Sequence, residues 1–125
     1  MGSHPVIAVV DDDQSVRAAL GSLLRSVGFA VLPFSSAEEF LRGQHLSRID
    51  CLILDWRMPG IDGMQLQCEL AASGSRIPII FLTAHCTEEG RAQAVRKGAI
   101  AFLNKPVDAE VLLDAVRSGV RQSEA

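Results

Sequence analysis

The sequence contains no apolar run long enough to cross a membrane. A membrane-spanning helix needs about 20 consecutive apolar residues, and every apolar run here is far shorter. The first four residues, Met1 to His4, also lack the basic start and apolar stretch of a signal peptide, and Gly-Ser-His is typical of a tag remnant. We therefore predict no membrane contact and one domain over residues 5–121, with residues 122–125 forming a polar tail or the start of a linker.

Basic charge and paired cysteines are also scarce. The formal net charge is −3 and the pI is about 5.5, and no Lys/Arg cluster supplies the local field that a phosphate backbone requires. Direct nucleic-acid binding is thereby disfavoured. The three cysteines, Cys51, Cys68 and Cys86, show neither C-x-x-C nor zinc-finger spacing. They predict a reduced, cytoplasmic protein without disulfides or zinc. Cysteine as a small buried hydrophobe is favoured over the alternative role of redox sensor.

Short, continuously apolar runs alternate with helical patterns five times along the chain. Continuous rather than alternating apolar runs are typical of parallel strands that are covered on both faces. The predicted strands are Val6–Val10, Ala30–Pro33, Cys51–Leu54, Ile79–Leu82 and Ile100–Leu103. The predicted fold is α/β, a doubly wound five-stranded parallel sheet in the order 2-1-3-4-5 with five helices.

Capping residues and glycines delimit the helices. The first begins after Asp13 as N-cap and stops at Gly28. The second begins with the capping-box pattern Ser35-Ser36-Ala37-Glu38 and ends at Gly43. The remaining helices are predicted over Asp62–Ala72, from Thr87 to Lys97, and from near Asp108. The fourth has a thin apolar face of Ala92 and Val95, which predicts that it is the least firmly docked.

Polar side chains follow the predicted strands at one edge of the sheet. They are Asp11, Asp12 and Asp13 after strand 1, Asp55 after strand 3, Thr83 after strand 4, and Lys105 after strand 5. Three carboxylates about 5 Å apart repel each other by roughly 3 kcal/mol per pair at an effective dielectric of 20. Carboxylates from two strand ends suit Mg²⁺, which offsets this repulsion.

The other strand-end groups favour an anion beside that metal. Lys105 adds a positive charge, Thr83 a hydroxyl donor and Ala84 a backbone N–H. A metal, a lysine and a hydroxyl beside one aspartate indicate a phosphoryl-transfer site with Asp55 as nucleophile.

Four segments together carry a family resemblance. VVDDDQSVR, LILDWRMPGIDG, IIFLTAH and GAIAFLNKPVD resemble, in order and spacing, a response-regulator receiver domain, the phospho-acceptor module of two-component signalling, which has a flavodoxin-like fold. The resemblance covers essentially Pro5 to Arg121. The stretch VGFAVLPFSSAEEFL and the Phe-Leu-x-Lys-Pro ending further resemble the FixJ-type branch of the LuxR/NarL class.

The resemblance implies a role for each acidic residue. Asp55 matches the aspartate that the phosphohistidine of a sensor histidine kinase phosphorylates. Asp11 and Asp12 match the acidic pair that holds Mg²⁺ together with Asp55 and the backbone carbonyl of Arg57. Asp13 falls at a variable position of the family, so its capping role stands.

The resemblance also assigns the groups around the phosphoryl oxygens. Lys105 matches the lysine that pairs with the phosphoryl group, and the Lys105–Pro106 peptide bond matches one that is usually cis in the family. Thr83 matches the switch hydroxyl, and Phe102 matches the aromatic residue that moves with it. We hypothesise that the Arg57 and His85 side chains tune the phosphoryl lifetime.

The resemblance implies a switch rather than a turnover enzyme. Phosphorylation is expected to draw Thr83 towards the phosphoryl group, to admit Phe102 into the vacated space, and to alter the face of helix 4, strand 5 and helix 5. Homodimerisation or control of a C-terminal helix-turn-helix DNA-binding domain, absent from this sequence, would follow.

Two other classes compete with this interpretation. A haloacid-dehalogenase-type hydrolase should carry D-x-D at the nucleophile, whereas Asp55 is followed by Trp56 and Arg57. A plain divalent-metal binding module would not need Lys105 and Thr83, and an EF-hand loop requires alternating ligands and a glycine that the aspartate run lacks.

Overall fold

The computed structural model describes residues 4–43 and 48–124. The predictions for residues 1–3 and for Ala125 lie outside the described residues. The strands are β1 (Val6–Val10), β2 (Ala30–Phe34), β3 (Cys51–Leu54), β4 (Ile79–Thr83) and β5 (Ala101–Asn104). The helices are α1 (Gln14–Ser26), α2 (Ala37–Gly43), α3 (Gly63–Ala72), α4 (Glu88–Arg96) and α5 (Ala109–Glu124).

All strand pairs are parallel, and the sheet order is β2-β1-β3-β4-β5. This confirms the predicted fold class and strand order. The three inner strands are almost wholly buried, which explains their continuous apolar runs. The edge strand β2 contains Pro33, which has no N–H to donate and is therefore tolerated at an edge position.

The sheet separates two apolar cores. One core packs β-strand side chains against residues of α2, α3 and α4, including Phe40, Leu66 and Ala94. The other packs the opposite face against α1 and α5 through residues such as Leu24 and Val116. Helices therefore cover both faces, as a doubly wound sheet requires. Among the described residues, none of the helices has the length and apolar character to cross a membrane.

The helix starts follow the predicted capping chemistry with one change. The Asp13 carboxylate accepts hydrogen bonds from the backbone N–H groups of Ser15 and Val16, which confirms it as the cap of α1. In α2 the reciprocal partner is Glu39 rather than Glu38: the Glu39 N–H donates to Ser36 Oγ at 3.0 Å, and the Ser35 N–H donates to Glu39 Oε1 at 2.7 Å. Glu38 is therefore free of the capping role predicted for it.

The inner face of α4 differs from the prediction. Gly90 and Ala94 are its buried residues, whereas Ala92 is exposed and Val95 is 53% exposed. The prediction was wrong because Gly90 has no side chain to mark a buried face, and the sequence does not distinguish Ala94, which is buried, from Ala92, which is exposed.

The C-terminal end also differs from the prediction. α5 continues to Glu124, so residues 122–124 form its last turn rather than a tail. Val120 is buried, and the Ser123 hydroxyl donates to the Val120 carbonyl at 2.9 Å. Residues 122–124 are exposed to solvent, and the buried Val120 anchors this end of α5 to the core.

The three cysteines are all free, but only one is buried. Cys51 lies in the core, Cys86 is half-buried, and Cys68 is exposed. The predicted buried role is confirmed for Cys51 and was wrong for Cys68. Burial raises the pKa of the Cys51 thiol to about 12.

Candidate functional site

Strand register brings the predicted site residues together. Val10 and Leu54 are partners across β1 and β3, and the Asp55 N–H donates to the Val10 carbonyl at 3.0 Å. Asp11 and Asp55, the next residues along each strand, therefore lie side by side at the carboxyl edge of the sheet. Both are buried, with exposures of 3% and 6%.

Asp11, Asp12 and Asp55 form one acidic cluster. One carboxylate oxygen from each residue lies within 4.8 Å of the others. Asp12 is exposed to solvent. Asp11 is held in place by a backbone contact, because its Oδ1 accepts a hydrogen bond from the Asp13 N–H at 2.9 Å. Asp13 is turned to the helix as predicted, whereas Asp11 and Asp12 lie beside Asp55.

Lys105 supplies the positive charge of the site. Its Nζ lies 2.7 Å from Asp11 Oδ2 and 3.4 Å from Asp55 Oδ2. The backbone is held as well, since the Lys105 N–H donates to the Thr83 carbonyl at 2.9 Å. Burial pushes the pKa of Lys105 down, but the hydrogen bond to Asp11 and the charges of Asp55 and Asp11 outweigh it and raise that pKa. Lys105 is therefore a fixed cation.

Asp55 is not fully neutralised by Lys105. Burial first, and the Asp11 charge second, raise the pKa of Asp55, while Lys105 and the Arg57 backbone N–H act in the opposite direction. The Asp55 Oδ1 atom is buried and has no hydrogen-bond partner among the described residues. A buried, unpaired carboxylate oxygen is costly, and such atoms in a native site point to a bound group.

The donor set fits Mg²⁺. Mg²⁺ is bound through a few carboxylates together with waters and substrate phosphate oxygens. The cluster offers carboxylates from Asp11, Asp12 and Asp55 within the reach of one ion, and the Asp55 carboxylate also carries the unpaired Oδ1 atom. The same residues could hold the ion that the strand-end pattern predicts.

The β4–α4 connection places a hydroxyl and a backbone amide at the same edge. Thr83 is fully buried, and its Oγ1 accepts the His85 N–H at 3.1 Å. Ala84 and His85 themselves are exposed. On the neighbouring strand the Lys105–Pro106 peptide bond is cis, as the resemblance implied.

Two aromatic rings connect this edge to α4. Phe102 is 1% exposed and packs edge-on against Trp56, with ring centroids 5.9 Å apart. Phe102 is therefore buried in this structure, in which the Thr83 hydroxyl still accepts the His85 N–H. Trp56 is half-buried, and the Arg57 guanidinium lies 4.2 Å from its ring centroid. The Arg57 side chain therefore makes a cation–π contact with the Trp56 ring.

Three further contacts were missed by sequence reasoning. Gly90 of α4 lies against Trp56 so closely that a Cβ would clash with the indole ring. The buried Gln67 of α3 donates to the Ala94 carbonyl of α4 at 3.1 Å. The Glu38 carboxylate accepts the Ile61 N–H at 3.1 Å. The sequence contained a signal for two of these contacts. A glycine inside a helix is unfavourable unless packing requires it, which pointed to Gly90. A capping box uses only one of two adjacent glutamates, which left Glu38 or Glu39 available for another contact.

Comparison with known proteins gives a consistent result. The family described as the response regulator receiver domain matches residues 7–117. The response regulator protein TodT of Pseudomonas putida is 43% identical over 116 residues, which cover 93% of this chain and 51% of that protein. The transcriptional regulatory protein FixJ of Azorhizobium caulinodans is 41% identical, over 94% of this chain and 56% of that protein.

A solved structure agrees with these relatives. The response regulator StyR superposes with a TM-score of 0.91 at 44% sequence identity, over 98% of this chain and 62% of that one. The chain spans about half the length of the curated relatives that it matches.

Proposed function

We propose, because the chain belongs to the response regulator receiver domain family, that Asp55 accepts a phosphoryl group from the phosphohistidine of a sensor histidine kinase. The chain is a signalling switch of this family, and its homologues include a transcriptional regulatory protein. One observation carries the assignment to Asp55: its buried carboxylate lies among Asp11, Asp12 and Lys105 with one oxygen unpaired.

The proposed transfer exchanges one bond to phosphorus for another. An Asp55 carboxylate oxygen attacks the phosphorus, the P–N bond to the donor imidazole breaks, and the electron pair remains on the imidazole nitrogen. No proton has to leave Asp55, because the ionised carboxylate is itself the nucleophile. Hydrolysis of the acyl phosphate by water, which returns inorganic phosphate and free Asp55, resets the switch.

The other site residues hold the charges of this reaction. Asp11, Asp12, Asp55 and the Arg57 carbonyl would hold Mg²⁺, which supplies neutralisation of the phosphoryl oxygens when bound. Lys105 can leave its pairing with Asp11 and pair with the phosphoryl group. The Ala84 N–H and the Thr83 hydroxyl add hydrogen bonds, while Arg57 and His85, both exposed, border the route of water.

Phosphorylation would then shift the packing around α4. The modified Asp55 carries about two negative charges and three acceptor oxygens, which draw the Thr83 hydroxyl away from the His85 N–H. Reversing a 1:99 population requires about 5.5 kcal/mol, more than one hydrogen bond supplies, so Thr83 and Lys105 must act together with the metal. Phe102, already buried in this structure, would move further into the space that the Thr83 hydroxyl vacates.

The consequences for partners follow from the altered face of α4, β5 and α5. That face would form a homodimer or release a C-terminal helix-turn-helix DNA-binding domain. The receiver domain itself would occupy residues 5–121 together with the last turn of α5, which extends it to Glu124. The hydrolase alternative is not favoured, since the family match covers residues 7–117.

Acetyl phosphate with Mg²⁺ tests the proposal. The wild-type chain should gain the mass of one phosphoryl group and change its Trp56 fluorescence, because Trp56 follows Asp55 directly and is the single tryptophan. Asp55→Asn should do neither, and Asp12→Asn should respond only at higher Mg²⁺. A wild-type chain that gained no phosphoryl mass would sink the proposal.

A further inference from the structure

The loop between β3 and α3 carries the Arg57 carbonyl that the proposed function assigns to Mg²⁺. Two contacts fix this loop from within. The Gly63 N–H donates to the Trp56 carbonyl at 2.8 Å, which closes the base of the loop. The Met58 side chain is 8% exposed and belongs to the core on the α2–α4 side of the sheet. The tip, at residues 60–61, needs a separate support.

Glu38 of α2 provides that support. Its Oε2 accepts the Ile61 N–H at 3.1 Å across 23 residues of sequence. Gly60 has a φ of +76°, and a Cβ at this position would clash with Glu38 Oε2. The loop therefore adopts a left-handed turn that brings its backbone directly onto the carboxylate.

Helix capping does not explain Glu38. The adjacent Glu39 makes the capping contacts, since its Oε1 accepts both the Ser35 N–H at 2.7 Å and the Ser35 hydroxyl at 3.0 Å. Hydrogen bonding to the Ile61 N–H lowers the pKa of Glu38. The carboxylate is thus ionised: its hydrogen bond to the Ile61 N–H lowers the pKa most, and one to its own backbone N–H lowers it further.

We infer that Glu38 is a positioning residue of the phosphoryl-transfer site, which acts by fixing the loop that presents the Arg57 carbonyl to Mg²⁺. The inference rests on the proposed function. A fixed loop presents the carbonyl without an ordering step, whereas a loop released at its tip must be ordered when the ion binds. Glu38 would therefore affect metal affinity although it touches neither the metal site nor Asp55.

Three variants separate this role from charge and from helix stability. Glu38→Ala removes the loop contact, Glu38→Gln keeps an acceptor for the Ile61 N–H but removes the charge, and Glu39→Ala removes the same charge one residue along together with the Ser35 contacts. Two quantities are measured: hydrogen exchange of the Ile61 amide by NMR without metal, and Mg²⁺ affinity from Trp56 fluorescence at physiological salt, where exposed charges are screened.

Glu38→Ala should speed Ile61 exchange about tenfold and weaken Mg²⁺ binding about three- to tenfold, the range set by one lost hydrogen bond. Glu38→Gln should recover most of both, and Glu39→Ala should leave Ile61 exchange and Mg²⁺ affinity within about twofold of wild type. Equal weakening by Glu38→Ala and Glu39→Ala, or unchanged Ile61 exchange in Glu38→Ala, overturns the inference.

The failure of the proposed function has a different signature. In that case the wild-type chain would gain no more phosphoryl mass from acetyl phosphate and Mg²⁺ than Asp55→Asn does. If the wild-type chain is phosphorylated and Asp55→Asn is not, but Glu38→Ala binds Mg²⁺ as tightly as the wild type, only the positioning role of Glu38 is overturned.

Discussion

At the residue scale, Asp55, the proposed phospho-acceptor, lowers the stability of the folded, metal-free protein. Its pKa is raised in the folded chain, chiefly by burial. Between the unfolded and the folded pKa the folded chain binds more protons, so stability falls as pH rises through that interval and stays reduced above it. At neutral pH the ionised Asp55 therefore destabilises the metal-free fold.

Asp55→Asn should accordingly stabilise the metal-free protein. We expect a gain of about 1 kcal/mol in the free energy of unfolding, because the amide cannot ionise and Lys105 keeps its contact with Asp11. Thermal unfolding in EDTA at pH 7 measures this. Asp13→Asn is the matched control, since asparagine caps a helix as well as aspartate and Asp13 is exposed. A less stable Asp55→Asn would contradict the interpretation.

The cysteines give a second prediction at this scale. Cys68 is exposed, while Cys51 is buried and burial raises the pKa of its thiol to about 12. A thiol reagent at pH 8 should therefore modify Cys68 rapidly and Cys51 only after denaturation, because the thiolate is the reactive form. The variant Cys68→Ser should lose the fast phase. A fast phase that persisted in that variant would show that another thiol is accessible.

At the element scale, α4 packs against the rest of the protein through two small residues, Gly90 and Ala94. Gly90 lies under the indole of Trp56, and a Cβ there would clash with the ring. Trp56 in turn packs on Phe102, so the residue after Asp55, the proposed phospho-acceptor, contacts both α4 and Phe102. This is a second connection from the site to α4, beside the one through Thr83.

Gly90→Ala should for this reason destabilise the protein, although alanine normally favours a helix. Overpacking costs about 1–3 kcal/mol and should also change the Trp56 fluorescence. Gly21→Ala in α1 is the matched control: there a Cβ meets only the end of the Arg25 side chain, at 3.1 Å, so we expect a gain of about 0.5–1 kcal/mol. Chemical denaturation measures both. Equal effects of the two substitutions on stability would contradict the prediction, because they would show that the Trp56 ring can move aside for a Cβ at position 90.

The same helix shows where the sequence was insufficient. Periodicity predicted α1 and α5 because large apolar residues mark their inner faces, and caps predicted the starts of α1 and α4. The inner face of α4 was misassigned to Ala92 and Val95, because Gly90 has no side chain to signal burial and Ala94 is no more apolar than Ala92. The Gln67 and Glu38 contacts depend on tertiary placement, which periodicity does not contain.

At the scale of the whole molecule, topology explains why the site was predictable. Parallel strands end at one edge, so residues that are far apart in sequence and follow successive strands must meet there. Asp11 and Lys105 are 94 positions apart and form an ion pair. What could not be predicted was the pairing within the cluster, since Lys105 lies nearer to Asp11 than to Asp55.

This pairing predicts competition between Lys105 and Mg²⁺. Lys105→Met should bind Mg²⁺ about three- to tenfold more tightly, because the carboxylates lose their resident cation, while phosphorylation by acetyl phosphate falls. Lys97→Met is the matched control, as Lys97 is the other lysine and its Nζ contacts Cys68 instead. Fluorescence titration of Trp56 checks both. Unchanged or weaker binding in Lys105→Met would show that Lys105 does not compete.

The small-residue face of α4 bears on the rate of switching as well as on its end states. Helices that interlock through large side chains must disengage them before they move. α4 has Gly90 and Ala94 at its inner face, with one hydrogen bond from Gln67 to the Ala94 carbonyl. If phosphorylation displaces α4 as proposed, we expect a low activation barrier and an exchange on the microsecond-to-millisecond scale of collective motions, so that the lifetime of the phosphoryl group would limit the signal.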